Sequence, residues 1–382
     1  MLNKISINFI NAFFLEDINI KQASNTTLTA NSTQKLNLNV DMETTFTNTI
    51  VKSTSVKELN YDIKQVGSAT SNINLFVDFA SQLEKLKIDN KTDKDIVQTF
   101  RDTVSPDTYG SDLKIMDVTT QSKYHTSSPL RAVSKADFKG VGDNAIVELA
   151  GRIGMPTDGR YPLQGTQDIT LNAQNLKDLS VAASSKIITT RNVSLTSTTD
   201  KENATVTYGQ IGDSATAKAN DVSINATGQK TLTTGNIYAN GDVNLTTKFT
   251  QEGSSAIYAK ETVSTDTSVT GGIKARNFSL NHSANSGITD GIIRTNGNLD
   301  ATGNLNVNAS GYKTLKMSVT PITVFSPITD WEKINVGGDA KFNTTATVAG
   351  ASTEIGYQPS PISIDETHVT IKSKSLSINA NA

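Results

Sequence analysis

Cysteine is absent from this chain, which removes both disulfide frameworks and thiolate metal sites. Aromatic residues are scarce, 6% of the chain with a single tryptophan, and hydrophobic residues of every kind reach only 36%. So little bulk cannot fill a thick, two-layered core and points instead to a thin, repetitive one. A dominant charge is missing too: 35 basic residues are interspersed with 37 acidic ones, for a net of −2. That balance offers no field to draw nucleic acid or an anionic membrane surface. Nor does any run approach the ~18 apolar residues of a membrane span. The opening MLNKISINFINAFFLEDINI has one short apolar run, interrupted by Asn8 and Asn11 and closed by Glu16 and Asp17. With no small-residue cleavage site after it, this segment reads as a docking strand or helix, and export by the general secretory route is not expected.

What the chain has in abundance is a repeated phrase. GNIYANGDVNLTT, from Gly235, and GNLDATGNLNVNAS, from Gly297, share a plan: aliphatic-x-Ala, a polar corner, then aliphatic-x-aliphatic. Ile237 and Ala239 precede Val243, Ile257 and Ala259 precede Val263, Ile273 and Ala275 precede Phe278, and Leu299 and Ala301 precede Leu305. The second half recurs as DITLN at Asp168, NVSLT at Asn192, DVSIN at Asp221, NFSLN at Asn277, HVTIK at His368 and SLSIN at Ser375. Strict alternation sends Val, Ile, Leu and Ala to one side of a strand and Thr, Ser and Asn to the other. One such rung buries too few aliphatic groups to offset the entropy of ordering it. Stacked copies saturate each other's backbone groups and merge their apolar clusters into a column. Glycines 235, 241, 297 and 303 fall at the expected corners, where positive φ is useful.

The organisation that follows is all-β, a parallel β-helix (β-solenoid) with a smaller mixed α/β insert near the N-terminal third. Residues 1–70 form a docking segment and a tighter strand-and-turn repeat, in which Leu28 and Leu36, then Leu38 and Phe46, are equally spaced. Residues 71–160 form a mixed domain. Within it, 75–101 reads helical because Leu75, Phe79, Leu83 and Leu86 fall on one stripe, with a second helix starting at Thr92 and capped with Asp95. The stretch 102–135, with Pro106 and Pro129, reads as loop-rich. Ile146, Leu149, Ala150 and Ile153 predict another helix over 143–153. The solenoid proper spans 161–317. Residues 318–382 form an irregular cap, rich in proline and holding Trp331, with terminal rungs.

Chemistry is thinly signalled. His125, His282 and His368 are far apart and read as surface histidines. No HExxH pair, GxSxG elbow or phosphate loop occurs. KGVGDNA at 139–145 has the spacing of a nucleotide-binding glycine loop but no apolar strand before it, and reads as a turn. VGGDAKF at 336–342 is a lone copy of a calcium-repeat-like phrase, which cannot build that site. No catalytic, cofactor or metal residues are therefore assigned. A candidate contact strip remains: Tyr238 and Tyr258, at equivalent places in adjacent phrases and facing away from Ile and Ala, together with Trp331.

The phrase NGNLDATGNLNVNAS (296–310) resembles the repeats of filamentous haemagglutinins, bacterial surface adhesins built as right-handed β-helices; the likeness runs over roughly 165–315. The tighter repeat at 25–66 resembles the β-helical stalks of contractile-tail spikes, found in phage baseplates and type VI secretion systems. The second resemblance implies a homotrimeric needle that docks on other tail proteins. The expectation is a non-enzymatic structural protein of a phage virion, in the tail or baseplate, with a host-surface glycan as a further candidate partner. A secreted adhesin on the bacterial surface is the alternative, and a glycan-depolymerising tailspike a second.

Overall fold

Alternating side chains become stacked parallel strands. A computed structural model describes residues 6–9, 17–20, 23–24, 27–30, 35–42, 46–47, 49–53, 56–65, 72–77, 83–100, 113–154, 167–181, 186–213, 217–250, 253–257, 272–284, 290–295, 298–311, 314–319, 333–345, 352–355 and 370–381. The chain divides into two compact units, Met1–Ile187 and Ile188–Ala382. Among the described residues every element is a strand, and the pairings between successive coils are parallel. The fold is a parallel β-helix.

In the first unit, one face stacks Asp17–Ile20, Lys35–Met42, Glu58–Gln65, Lys85–Asn90, Ile115–Thr120, Lys135–Gly140 and Ile169–Gln174 in that order. A second face stacks Ser6–Phe9, Thr27–Ala30, Thr49–Ser53, Ile73–Val77, Ile96–Phe100, Lys123–Thr126, Ile146–Leu149 and Asp178–Val181. Sequence spacing now has a different meaning. Leu28 and Leu36 lie on different faces, so their interval measures the walk around a corner. The rung-to-rung partner of Leu36 is Leu59, and that of Leu38 is Tyr61.

The helices expected over 75–101 and 143–153 are not formed. Leu75 sits in Ile73–Val77 on the second face and Leu86 in Lys85–Asn90 on the first. Their helix-like spacing arises because inward positions of two strands are separated by a corner. Thr92 is buried in such a corner, and Asp95 accepts the Lys123 N–H at 3.1 Å instead of capping a helix. Ile146–Leu149 alternates as a strand, with Val147 and Leu149 buried. The stretch expected to be loop-rich supplies Ile115–Thr120 and Lys123–Thr126 to the two faces. The mixed α/β insert is thus, where described, more of the same β-helix.

The second unit repeats the plan with three faces. The first stacks Val193–Thr198, Val222–Thr227, Val243–Phe249, Phe278–Ala284, Leu305–Ser310, Asp339–Thr345 and Ser375–Asn381. The second runs from Thr205–Tyr208 through Thr231–Thr234, Gly253–Ile257, Asp290–Thr295 and Thr314–Val319 to Ser352–Ile355. The third runs from Gln210–Ile211 through Ile237–Tyr238, Gly272–Ala275, Asn298–Ala301 and Lys333–Val336 to Thr370–Lys372. The HVTIK phrase therefore contributes to the third face, whereas SLSIN belongs to the first.

Register on the first face builds the core directly. Val193, Val222, Val243, Phe278, Leu305, Ala340 and Leu376 form one column, and Leu195, Ile224, Leu245, Leu280, Val307, Phe342 and Ile378 the next. All but the last member of each column are buried. Val263, expected in the same column, lies outside the described residues.

Candidate functional site

A recurrent polar feature of the second unit is the Asx corner that opens several of its first-face strands. Asp221 Oδ1 accepts the Asp242 N–H at 2.7 Å, Asn277 Oδ1 accepts the Asn304 N–H at 2.8 Å, and Asn304 Oδ1 accepts the Asp339 N–H at 3.0 Å. Each carboxyl or amide oxygen occupies space that the next coil leaves open with glycine. A Cβ on Gly241, Gly303 or Gly338 would lie 2.0, 2.2 and 2.2 Å from the oxygens of Asp221, Asn277 and Asn304 respectively. Gly241 and Gly303, like Gly235, were expected to supply positive φ and do not. Their use is close approach; among the described glycines, positive φ is found at Gly154, Gly212, Gly228 and Gly311. Gly297 lies outside the described residues.

Other coils carry a larger residue before the Asx: Arg191 before Asn192, Asn220 before Asp221 and Arg276 before Asn277. Arg276 stands where a glycine would precede Asn277, and its Nε donates to Asp242 Oδ1 at 2.8 Å while Asn277 Nδ2 donates to the same oxygen at 2.9 Å. The guanidinium is the main reason the Asp242 carboxyl is held below its ordinary pKa.

Outward on the same face, an asparagine ladder runs up the coils. Asn308 Nδ2 donates to Asn281 Oδ1, Asn343 Nδ2 to Asn308 Oδ1, and Asn379 Nδ2 to Asn343 Oδ1, at 2.9, 2.9 and 2.8 Å. The partners are 27, 35 and 36 residues apart in sequence. Coils of unequal length thus keep one register.

The third inward column of this face carries polar and small groups: Ser197, Ala226, Thr247, His282, Ala309 and Thr344. His282, expected on the surface, is 1% exposed. Its Nδ1 shares a hydrogen bond with the Thr247 hydroxyl, and Phe249 meets the ring edge-on with centroids 5.0 Å apart. Burial pushes the imidazole pKa down to about 3. A neutral histidine sealed in the core reaches no external substrate.

His125 is the half-buried one. It lies on Lys123–Thr126, where Glu148 of the next coil comes within 3.5 Å of Nδ1. The same carboxylate pairs with Lys123, which is the first cause of its lowered pKa. This is a surface charge cluster linking two coils. His368 lies outside the described residues.

The first unit has its own buried polar corner. Asn90 Oδ1 accepts from the Thr92 N–H and hydroxyl at 3.1 and 2.8 Å. Its Nδ2 donates to Lys94 O at 3.0 Å and to the Ser122 hydroxyl at 3.2 Å. Sequence reading missed this network; Asn90 occupies an inward position in register with Ile63 and Thr120, which its polarity disguises. Tyr61 and Tyr124 are also wholly buried, and desolvation drives both hydroxyls above the ordinary tyrosine value.

The candidate contact strip fares differently. Tyr238 is 2% exposed, and its hydroxyl accepts from Asn236 Nδ2 at 3.2 Å, so it presents no exposed ring. Nor are the two Ile-Tyr-Ala phrases equivalent: Ile237 stacks on Ile273, whereas Ile257 stacks on Thr234 of the second face. Tyr258 and Trp331 lie outside the described residues. On the third face, Asp300, Thr302, Asn335 and Lys372 rim a shallow groove of about 350 Å³ floored by Ala301 and Val336. Its Asp300 carboxylate accepts from Asn335 Nδ2 at 2.8 Å.

The 139–145 glycines fit coil contacts: a Cβ on Gly140 would stand 2.1 Å from Asn175 O. Among the described residues no group of three or more His, Asp or Glu side chains could hold a metal ion, and no helix is long and apolar enough to cross a membrane. In comparison with known proteins, the chain matches no family model, no curated protein and no solved structure.

Proposed function

We propose that this chain is a structural component of a phage virion or related injection apparatus, placed in the tail or baseplate, and that it works as a homotrimer without catalysing a reaction. The observation that carries this reading is the continuity of the coils in each unit. Aliphatic columns run inside, and hydrogen-bonded Asx corners and an asparagine ladder run outside. Deforming such a stack breaks backbone, side-chain and apolar contacts together, so it resists bending better than a sheet with one layer of contacts. The Asx corners and the asparagine ladder join coil to coil, a use that suits a load-bearing element better than a reaction centre.

Density-purified particles and the host cell-surface fraction, each assayed by quantitative mass spectrometry with antibody labelling of the particles, test the proposal. Enrichment in particles with label at the tail is expected. Recovery from the bacterial surface alone would overturn it in favour of an adhesin.

A further inference from the structure

On the first face of the second unit the outward side chains stack as regularly as the core. Thr196, Asn225, Thr246, Asn281 and Asn308 form one column through five successive coils. The column two residues before it, from Ser194 to Asn306, is serine or asparagine in every coil. All of these positions are exposed or half-buried. Over about 20 Å of stacked strands, at ~4.8 Å per coil, the two columns hold no acid, no base and no aromatic ring.

The fold does not demand this. Outward positions on the first face of the first unit are charged: Lys85, Lys87 and Asp89 on one strand, Lys135, Asp137 and Lys139 on another. There, neighbouring coils are joined by ion pairs such as Lys85 to Glu58 at 2.8 Å. An outward face can therefore be built from charge, and that of the second unit is built from hydroxyls and carboxamides.

What such a face can hold follows from what it offers. Protein partners are anchored by buried aromatic or arginine side chains, and none stands in the two columns. An acidic polymer would give up the hydration of its charges with no cation there to pair them. Uncharged hydroxyl groups fit. A carboxamide has two N–H donors and an oxygen with two lone pairs. Asn308 spends one N–H on Asn281 and one lone pair on Asn343. That leaves a donor and an acceptor side by side, on a plane the ladder already fixes. Two neighbouring hydroxyls of a sugar ring match the pair, one accepting and one donating. Serine and threonine hydroxyls beside it donate or accept as the ligand requires. These short side chains cost less to order than lysine or arginine. A chain of sugars lying along the columns meets a similar set in each coil, so weak contacts add along its length.

We propose that the first face of the second unit binds an uncharged polysaccharide, laid along the Ser/Thr/Asn columns across successive coils. Such binding is independent of whether the protein works in a particle or at a cell surface, so its test and the fractionation above can fail separately.

The full-length chain is applied to a microarray carrying uncharged and acidic oligosaccharides of graded length. Retention on uncharged glycans, rising with oligosaccharide length and unchanged at high salt, is expected. Stronger retention on acidic glycans, abolished by salt, would overturn the proposal in favour of the lysines elsewhere on the surface. Retention on no uncharged glycan would overturn it outright. Asn244→Glu and Thr246→Arg, both at exposed positions, should each reduce retention tenfold or more with an unchanged circular dichroism spectrum. Undiminished retention by both folded variants would place the site elsewhere on the molecule. A light-scattering mass that falls in the variants, with no glycan retained by the parent chain, would assign the face to a contact between copies instead.

Discussion

Asn304 Oδ1 accepts the Asp339 backbone N–H at 3.0 Å and occupies the space where a Cβ on Gly338 would lie 2.2 Å away. The Gly-Asx pair is thus read across coils: glycine in one rung makes room for the Asx side chain of the rung before it. Gly338→Ala forces that amide aside. It should cost about 1–3 kcal/mol, the range for inserting a methyl group into filled space. Removing the obstacle should give part of this back. Asn304→Ala combined with Gly338→Ala should be less destabilised than the sum of the singles, with a coupling of roughly 0.5–3 kcal/mol. Denaturant melts of the four proteins measure it, and strict additivity would sink the idea.

The outward ladder makes a graded prediction. The Asn308 side chain both donates to Asn281 and accepts from Asn343, whereas among the described residues the Asn379 side chain bonds one neighbouring coil, at Asn343. Asn308→Ala should therefore cost more than Asn379→Ala. Partly exposed bonds of this type are worth about 0.5–1.5 kcal/mol each. Equal losses in chemical denaturation would mean that the ladder follows the register without stabilising it.

These corners also explain what the sequence made legible. The Asx-aliphatic-x-aliphatic phrase is local, so its strand and its phase could be read at Val243, Phe278 and Leu305 without coordinates. Coil partnership is not local. Ile257 carries the same Tyr-Ala tail as Ile237 yet sits on another face, because coils of unequal length uncouple sequence interval from rung position. The same uncoupling made Leu75 and Leu86 look helical. Inward polar residues such as Asn90 and His282 were missed for a different reason: their burial is offset by partners that only the stacked coils provide.

Asn90 gives the sharpest test of a missed residue. It accepts from two groups of Thr92 and donates to Lys94 O and Ser122 within a sealed corner. Asn90→Ala leaves those groups buried without their partner, at about 1–3 kcal/mol for each that stays unsatisfied. The loss should exceed that of Asn308→Ala at the exposed ladder. A comparable or smaller drop in denaturation midpoint would show that water replaces the amide freely.

Acid should reveal His282. Its folded pKa is depressed to about 3 by burial, against an unfolded value of about 6.5. Between those values the unfolded chain binds a proton that the folded chain does not. Its stabilising contribution is therefore complete above about pH 6.5 and is lost as pH falls towards the folded pKa, at up to about 1.4 kcal/mol per pH unit. Asp62, Glu148 and Asp242 also have lowered pKa values, but as carboxylates their stabilisation fades only from below about pH 5. The window from about pH 6.5 to 5 belongs to the histidine. Across it, wild-type stability should slope downward with acidification while His282→Gln stays nearly flat. Parallel slopes for the two proteins would show that the imidazole accepts its proton without leaving the core.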